Sequence, residues 1–441
     1  MPSTATLPNL LWGALAITGL MGAAVWNGYP LVYSDTSSYL GSGFTLDTLV
    51  DRPITYGLFL RITSLNGLTL WTSTLAQCAL LWWCLSLTLA WAGITRLRNR
   101  AIIVLALCTL TGLPFVSGQL MADAFTPMLI LSLLLLIAGE LPRGQRWLLH
   151  GVFVLAFAMH MSHVPLALLL IPVAIRISRA AGTGSHAWRR AGLLVPLMAV
   201  ALIPMGSSLA KSKHVFFMAH MAEEGILQRY LEKHCPGEDL VICGAPSMPS
   251  SADAFLWGPD SPLNRFPSWS AAEPEFKAII AESLRDPELL LLHGKAWLSA
   301  GSRQLLRFAP ADGMGPFATG TLLQQRIEAH IPGDAVAFAH PRQSAGLLPP
   351  PHLDSLSRVQ AGIMALSAVL LLAYAFACRH WRSKACSVAL VLISAYGLNA
   401  FLNAGLVMVA DRFAAKLAWT IPLAALLVAK SLLRDRVSPS S

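Results

Sequence analysis

Residues Leu68–Gly93 read LTLWTSTLAQCALLWWCLSLTLAWAG, twenty-six residues without one charged side chain. A bilayer core about 30 Å thick needs about 20 such residues in a helix. This stretch therefore predicts a membrane span, and the rest of the chain agrees. Of 441 residues, 55% are apolar and 12% charged, about half the charged share of a globular protein. Mean hydropathy is +0.58. These values exclude a disordered chain and argue against a soluble globular enzyme.

Working outward from Leu68–Gly93, nine further segments qualify as spans: Pro8–Trp26, Ala101–Val116, Ala124–Ala138, Trp147–His160, Val164–Ile177, Ala191–Gly206, Val359–Cys378, Ala385–Met408 and Phe413–Lys430. The fifth and sixth are short, and 147–177 can also be read as one long span. Basic residues decide between the two, because cytoplasmic loops collect Lys and Arg. With ten spans and both termini cytoplasmic, the inner loops carry fifteen basic and two acidic residues. Everything else carries seventeen basic and twenty-one acidic. The net charge of +9 is thus an orientation signal, which leaves no basic face for nucleic acid. No Lys or Arg precedes Arg52, so the first span is expected to be a retained helix and not a cleaved leader.

Two segments on the expected outer side exceed a connector. Asn27–Asn66 reads NGYPLVYSDTSSYLGSGFTLDTLVDRPITYGLFLRITSLN, and its stretch Pro53–Leu65 suits a short helix on the membrane surface. Residues 207–358 hold sixteen acidic and thirteen basic residues and are long enough for a domain. The expected organisation is a membrane domain over 1–206, a mostly helical extracytoplasmic domain over 207–358 inserted between spans seven and eight, and a membrane domain over 359–441. Leu289–Leu306, interrupted by His293, Lys295 and Arg303, is expected as an interfacial or buried helix, since a mid-bilayer Lys costs about 3 kcal/mol. Residues 341–353 are a proline-rich connector. Cys235 and Cys243 flank PGEDLVI and are a disulfide candidate outside the cytoplasm; free thiols, or a metal site with His234, are the alternatives. Cys78, Cys84, Cys108, Cys378 and Cys386 suit apolar packing.

Chemistry-bearing residues gather in the outer turns: Asp35, Asp51 and Arg52, Asp123, His160 and His163, Asp411 and Arg412. Each also has a plain structural reading. Asp35 in YSDTSSY can cap a helix starting at Thr36, Asp51-Arg52-Pro53 can be a helix start, Asp411 and Arg412 can be a turn pair, and the histidines can be interfacial polar residues. If the outer groups converge, they suit sugar transfer from a polyprenyl-phosphate carrier. A leaving phosphate needs a cation, for which Arg offers a planar fork, and an acceptor hydroxyl needs a base. Asp35 is the expected base, Arg52 and Arg412 the phosphate or substrate contacts, and His163 a secondary contact. Asp123 can orient a hydroxyl or help hold a divalent cation; no other cofactor is indicated. At depth the polar residues are Gln77, Asn399 and Asn403. They suit helix–helix hydrogen bonding, or the mid-depth cavity of a transporter.

The layout resembles the GT-C superfamily of integral-membrane glycosyltransferases, carried by Asp35 in YPLVYSDTSSYLGSG, the following DRPITYGLF, Asp123 in MADAF, and Arg412. That resemblance implies a polytopic all-α fold, a lipid-phosphate sugar donor, a glycan, lipid or protein acceptor, and a bacterial inner membrane location. Asp35 stands alone where the family often has an acidic pair, and the large insert precedes three spans where the family places its domain last. The latter position is similar to that in O-antigen ligase and polymerase-like proteins. A transporter or lipid flippase, and a non-catalytic cell-envelope assembly partner, are the rival functions. Reporter fusions at residues 185 and 250 are expected to lie on opposite sides of the membrane; the same side for both would overturn the ten-span arrangement.

Overall fold

The computed structural model describes residues 6–437 except 183–185, 207, 212, 236, 238, 246, 311, 318–319, 349–351 and 378–382. Cys378, Arg379, Trp381, Arg382 and the prolines of the 341–353 connector at 349–351 lie outside the described residues. Among those described there is no strand, only an isolated bridge between Leu31 and Gln119. Six helices are long and apolar enough to cross a membrane: Leu70–Trp91, His163–Ala180, Ala187–Met205, Asp354–Phe376, Lys384–Leu406 and Arg412–Leu432. Leu7–Leu20 and Ala122–Ala138 are shorter apolar helices. The remaining two expected spans coincide with Leu97–Leu110 and Arg143–Met159. The protein is an all-α, multi-pass membrane protein.

One boundary differs from expectation for local reasons, and the expected break within 147–177 is present. The segment expected to be helical over Ala101–Val116 stops at Leu110 and restarts as Leu113–Ser117. Pro114 forbids a helical bond there and restrains the residue before it, while the Gly112 N–H leaves the helix and donates to Gln360 Oε1 at 2.5 Å. Residues 147–177 are two helices, broken at the extended residue His160 (φ −143°, ψ 141°).

At the centre stands Thr126–Ala138, TPMLILSLLLLIA, every residue of which is buried. A helix apolar all round needs cover on all sides, and Leu70–Trp91, Arg143–Met159 and His163–Ala180 supply it. The polar residues at depth bind the helices together. Gln77 Nε2 donates to the Ser117 and Gln119 carbonyls at 2.6 and 2.8 Å, and its Oε1 accepts from the Tyr56 hydroxyl at 3.0 Å. Asn399 Nδ2 donates to the Phe413 carbonyl at 2.5 Å, and Asn403 Nδ2 to the Asn399 carbonyl at 2.7 Å.

Asn27–Asn66 folds as Ser34–Thr45 and Thr55–Thr63. The second is shorter than the expected Pro53–Leu65 and buries Tyr56, Gly57, Phe59 and Leu60 on one side. The two helices cross at glycines. A Cβ on Gly43 would fall 2.1 Å from the Gly57 carbonyl oxygen, and one on Gly57 would fall 2.5 Å from that of Tyr39. Only residues without a side chain allow backbones this close.

The 207–358 segment has two parts. Val215, Leu227, Tyr230, Phe255, Phe276 and Leu289 form a separate apolar core, beside which Cys235 and Cys243 are joined by a disulfide. Leu323, Ile327, Ile331 and Phe338 instead join the main core, where Asp334 Oδ2 accepts from the Tyr29 hydroxyl at 2.9 Å and the Leu70 N–H at 2.8 Å. Pro287–Leu306 lies against Lys384–Leu406, not among the spans: Trp297 Nε1 donates to the Phe401 carbonyl at 3.2 Å, and the Tyr396 hydroxyl to the Leu305 carbonyl at 2.7 Å.

Gly57→Ala is expected to push the two first-loop helices apart and lower stability by about 1–3 kcal/mol, the usual effect of overpacking. Gly151→Ala, where a Cβ meets nothing within 4 Å, is the control. Equal melting temperatures for the two variants would show that the crossing is not tight.

Candidate functional site

Asp35 lies in the first turn of Ser34–Thr45. The capping role is taken by its neighbour: the Tyr33 N–H donates to Thr36 Oγ1 at 2.9 Å, and the Thr36 N–H to the Tyr33 carbonyl at 3.0 Å. The Asp35 carboxylate is thereby left to meet cations, and it meets two. Arg52 Nη1 lies 2.9 Å from Oδ1, and Arg412 Nη1 3.6 Å from Oδ2. All three side chains are partly exposed, at 24%, 14% and 26% respectively.

Each arginine is held from elsewhere. Arg52 donates to Asp51 Oδ2 through Nε and Nη2, at 2.9 and 2.5 Å, and lies over the Tyr39 ring at 5.4 Å. Burial works against the Arg52 charge, but Asp35, Tyr39 and Asp51 outweigh it, and its pKa is raised. The expected helix start at Asp51-Arg52-Pro53 is displaced, since the helix begins at Thr55. Arg412 opens its helix, with its guanidinium between the Tyr33 and Phe413 rings at 4.8 and 4.9 Å and its backbone N–H donating to Asp312 Oδ2 at 3.0 Å. Asp411 is not part of the cluster. It accepts from Arg307 Nε at 3.1 Å and the Ala309 N–H at 2.9 Å. The Tyr33 phenol is raised by burial, lowered by Arg412 and raised again by Asp312 and Asp35.

One turn further along the Arg412 helix is Lys416, 1% exposed, with Nζ 2.6 Å from Asp123 Oδ1. Residues i and i+4 share a helix face, so Arg412 and Lys416 point the same way. With Asp123, Tyr33, Gln119, Asp312 and others they line one cavity of about 20 Å³, room for about one water. Its wall on the side of the insert is made by Ala309, Pro310, Asp312 and Met314, pressed onto Tyr33 at Gly313. That residue has φ +68°, and a Cβ on it would fall 1.6 Å from a Tyr33 ring carbon.

Asp35, Arg52, Asp123 and Arg412 therefore come together, although they lie on four separate segments. His163 does not reach the cavity. It is fully buried, with Nε2 2.8 Å from Thr126 Oγ1 and Nδ1 2.6 Å from the Ala156 carbonyl oxygen, so both ring nitrogens are engaged within the protein. Among the described residues no group of three or more His, Cys, Asp or Glu is placed to hold a metal ion. Asp123 meets an ammonium group in Lys416, which does not fit the role of a cation ligand. Lys416, Tyr33 and Asp312 are the site residues that sequence reasoning missed. The i, i+4 spacing of Arg412 and Lys416 was a visible signal for the first.

No family model matches the chain, and no curated protein matches it. Among solved structures the chain is similar to the crystal structure of ArnT from Cupriavidus metallidurans in the apo state, at 16% identity, covering 97% of this chain and 78% of that one, with a TM-score of 0.33.

Removing one partner of the Lys416–Asp123 pair leaves the other charge buried and alone, which costs about 3–5 kcal/mol. Lys416→Met is expected to lower the melting temperature in detergent strongly, and Lys416→Met with Asp123→Asn to recover most of the loss. A single variant as stable as wild type would show that the pair does not hold the helices together.

Proposed function

We propose that the protein is a membrane glycosyltransferase of GT-C type, moving a sugar from a polyprenyl-phosphate donor to an acceptor hydroxyl on the outer side of a bacterial inner membrane. The observation that carries this reading is the carboxylate of Asp35, bridged by Arg52 and Arg412 beside a cavity that also holds Lys416. Arg52 and Arg412 converge on one carboxylate, and each guanidinium keeps N–H donors beyond those the carboxylates take, which suits a ligand that brings its own negative charge.

In the proposed reaction Arg52, fixed by Asp51, keeps Oδ1 of Asp35 in place. The donor phosphate competes with Oδ2 for Arg412, and the oxygen that Arg412 leaves becomes the base. It takes the proton of the acceptor hydroxyl as the hydroxyl oxygen bonds to the anomeric carbon. The bond from that carbon to the phosphate oxygen breaks, its electron pair goes to the phosphate, and Arg412 and Lys416 stabilise the charge that develops there. One displacement inverts the anomeric centre and needs no covalent sugar intermediate. The 20 Å³ cavity is too small for a sugar, so in this reading the substrates displace the wall formed by Ala309, Pro310, Asp312 and Met314. The polar groups at depth favour this reading over a transporter, because Gln77, Asn399 and Asn403 spend their amides on neighbouring backbone.

In a deletion strain, wild type is expected to restore the surface glycan, whereas Asp35→Asn leaves it absent and the lipid-linked sugar accumulated. Loss of a general base usually costs about 10²–10⁴ in rate. Equal rescue by Asp35→Asn removes Asp35 as the base.

A further inference from the structure

A second opening lies on the other side of the wall that closes the small cavity. It is a cleft of about 450 Å³ lined by Glu223, Arg303, Leu306, Arg307 and Val409. The wall between the two spaces is thin: Leu306, Arg307 and Val409 face the cleft, while Ala309, Pro310 and Arg412 face the cavity. Asp411 ties the wall together, accepting from Arg307 with one oxygen and from the Ala309 N–H with the other.

The lining is specific in its chemistry. Arg303 lies in the last turn of Pro287–Leu306 and Arg307 just past its end, and both are more than half exposed. Each is steered by one carboxylate through one guanidinium nitrogen: Arg303 Nη2 by Glu224, Arg307 Nε by Asp411. A guanidinium has five N–H donors, so each fork is oriented without being used up. Glu223 is fixed by the Ala252 N–H, which donates to its Oε2 at 3.0 Å. Leu306, 77% exposed, and Val409 add apolar surface at the edge of the cleft. Apolar surface beside a few fixed polar groups is common in small-molecule sites, and the volume lies within the usual range.

We propose that this cleft receives the acceptor, and that the acceptor is a saccharide carrying a phosphate or carboxylate. The inference rests on the glycosyltransferase reading. The C–H face of a sugar ring packs on Leu306 and Val409, the anionic group meets the Arg303 and Arg307 forks, and Glu223 accepts from a hydroxyl. The hydroxyl to be glycosylated then reaches Asp35 past Ala309, Pro310 and Asp312.

The test uses the full-length protein with Leu306→Cys, labelled by a bulky membrane-impermeant maleimide. Glucose 6-phosphate and glucuronate stand in for phosphorylated and carboxylated acceptors, and glucose is the neutral control. At about 10 mM, above the about 1 mM Kd of a weak single-sugar site, one or both anionic sugars are expected to slow labelling severalfold and glucose is not. Which of them protects tells phosphate from carboxylate. Arg303→Ala is expected to raise the protecting concentration about tenfold, whereas Asp35→Asn leaves protection intact. In cells, labelling Leu306→Cys is expected to lower glycan transfer relative to the same variant left unlabelled. No protection by either anionic sugar, or equal protection by glucose, overturns the inference. Protection that persists while Asp35→Asn transfers normally sinks the catalytic role and leaves the cleft standing, so the two failures are distinct.

Discussion

A lysine ammonium with 1% of its surface exposed, in a helix that is apolar apart from the Arg412 that opens it, has to find an anion or lose its charge. Lys416 finds Asp123, and much of the arrangement depends on that pairing. The two residues are 293 positions apart in the chain. Neutralising one charge with the other in a medium that solvates neither brings the last membrane segment against the turn that opens the central Ala122–Ala138 helix. Arg412, one turn before Lys416, is delivered by the same contact to the mouth of the cavity, where the first loop presents Asp35.

The first loop reaches that place by a different kind of constraint. Gly43 and Gly57 let two short helices touch backbone to backbone, and the bend between them carries Asp51 and Arg52. Because Ser34–Thr45 is capped by Thr36, its acid is not consumed as a cap. Steric closeness sets where Asp35 and Arg52 meet, and electrostatics then joins them. The loop is sewn to the end of the insert as well, where Gln343 exchanges both amide groups with Val32, at 3.1 and 2.8 Å.

The membrane class was legible because apolar runs of 18–26 residues admit few alternatives, and the disulfide because a Pro-Gly turn separates its cysteines. Asp35, Arg52, Asp123 and Arg412 were legible as polar residues at turns, since charge is costly elsewhere. Their convergence depends on tertiary packing and has no local signal. Lys416 was hidden by its place inside the expected span Phe413–Lys430, where a single charge does not show whether it is buried or paired. His163 misled for the opposite reason: a histidine in a turn looks available, but the Thr126 hydroxyl and the Ala156 carbonyl, which are not local in pattern, occupy it. Ala101–Val116 overran because periodicity does not register that Gly112 leaves the helix for Gln360.

Gln304 carries a consequence of its own. Its side-chain amide donates to the Ala410 carbonyl at 2.8 Å and accepts from the Ala410 N–H at 2.9 Å, imitating the pairing of one strand with another. Two residues on is Arg412, whose own N–H is held by Asp312. The turn that presents the second arginine is therefore built jointly by membrane helices and by the long insert. Such a chain cannot be divided into a minimal membrane scaffold and a detachable appendage. Excising 207–358 removes the mould in which that turn is cast, so the insert and the last two membrane segments can be exchanged between proteins only as a unit.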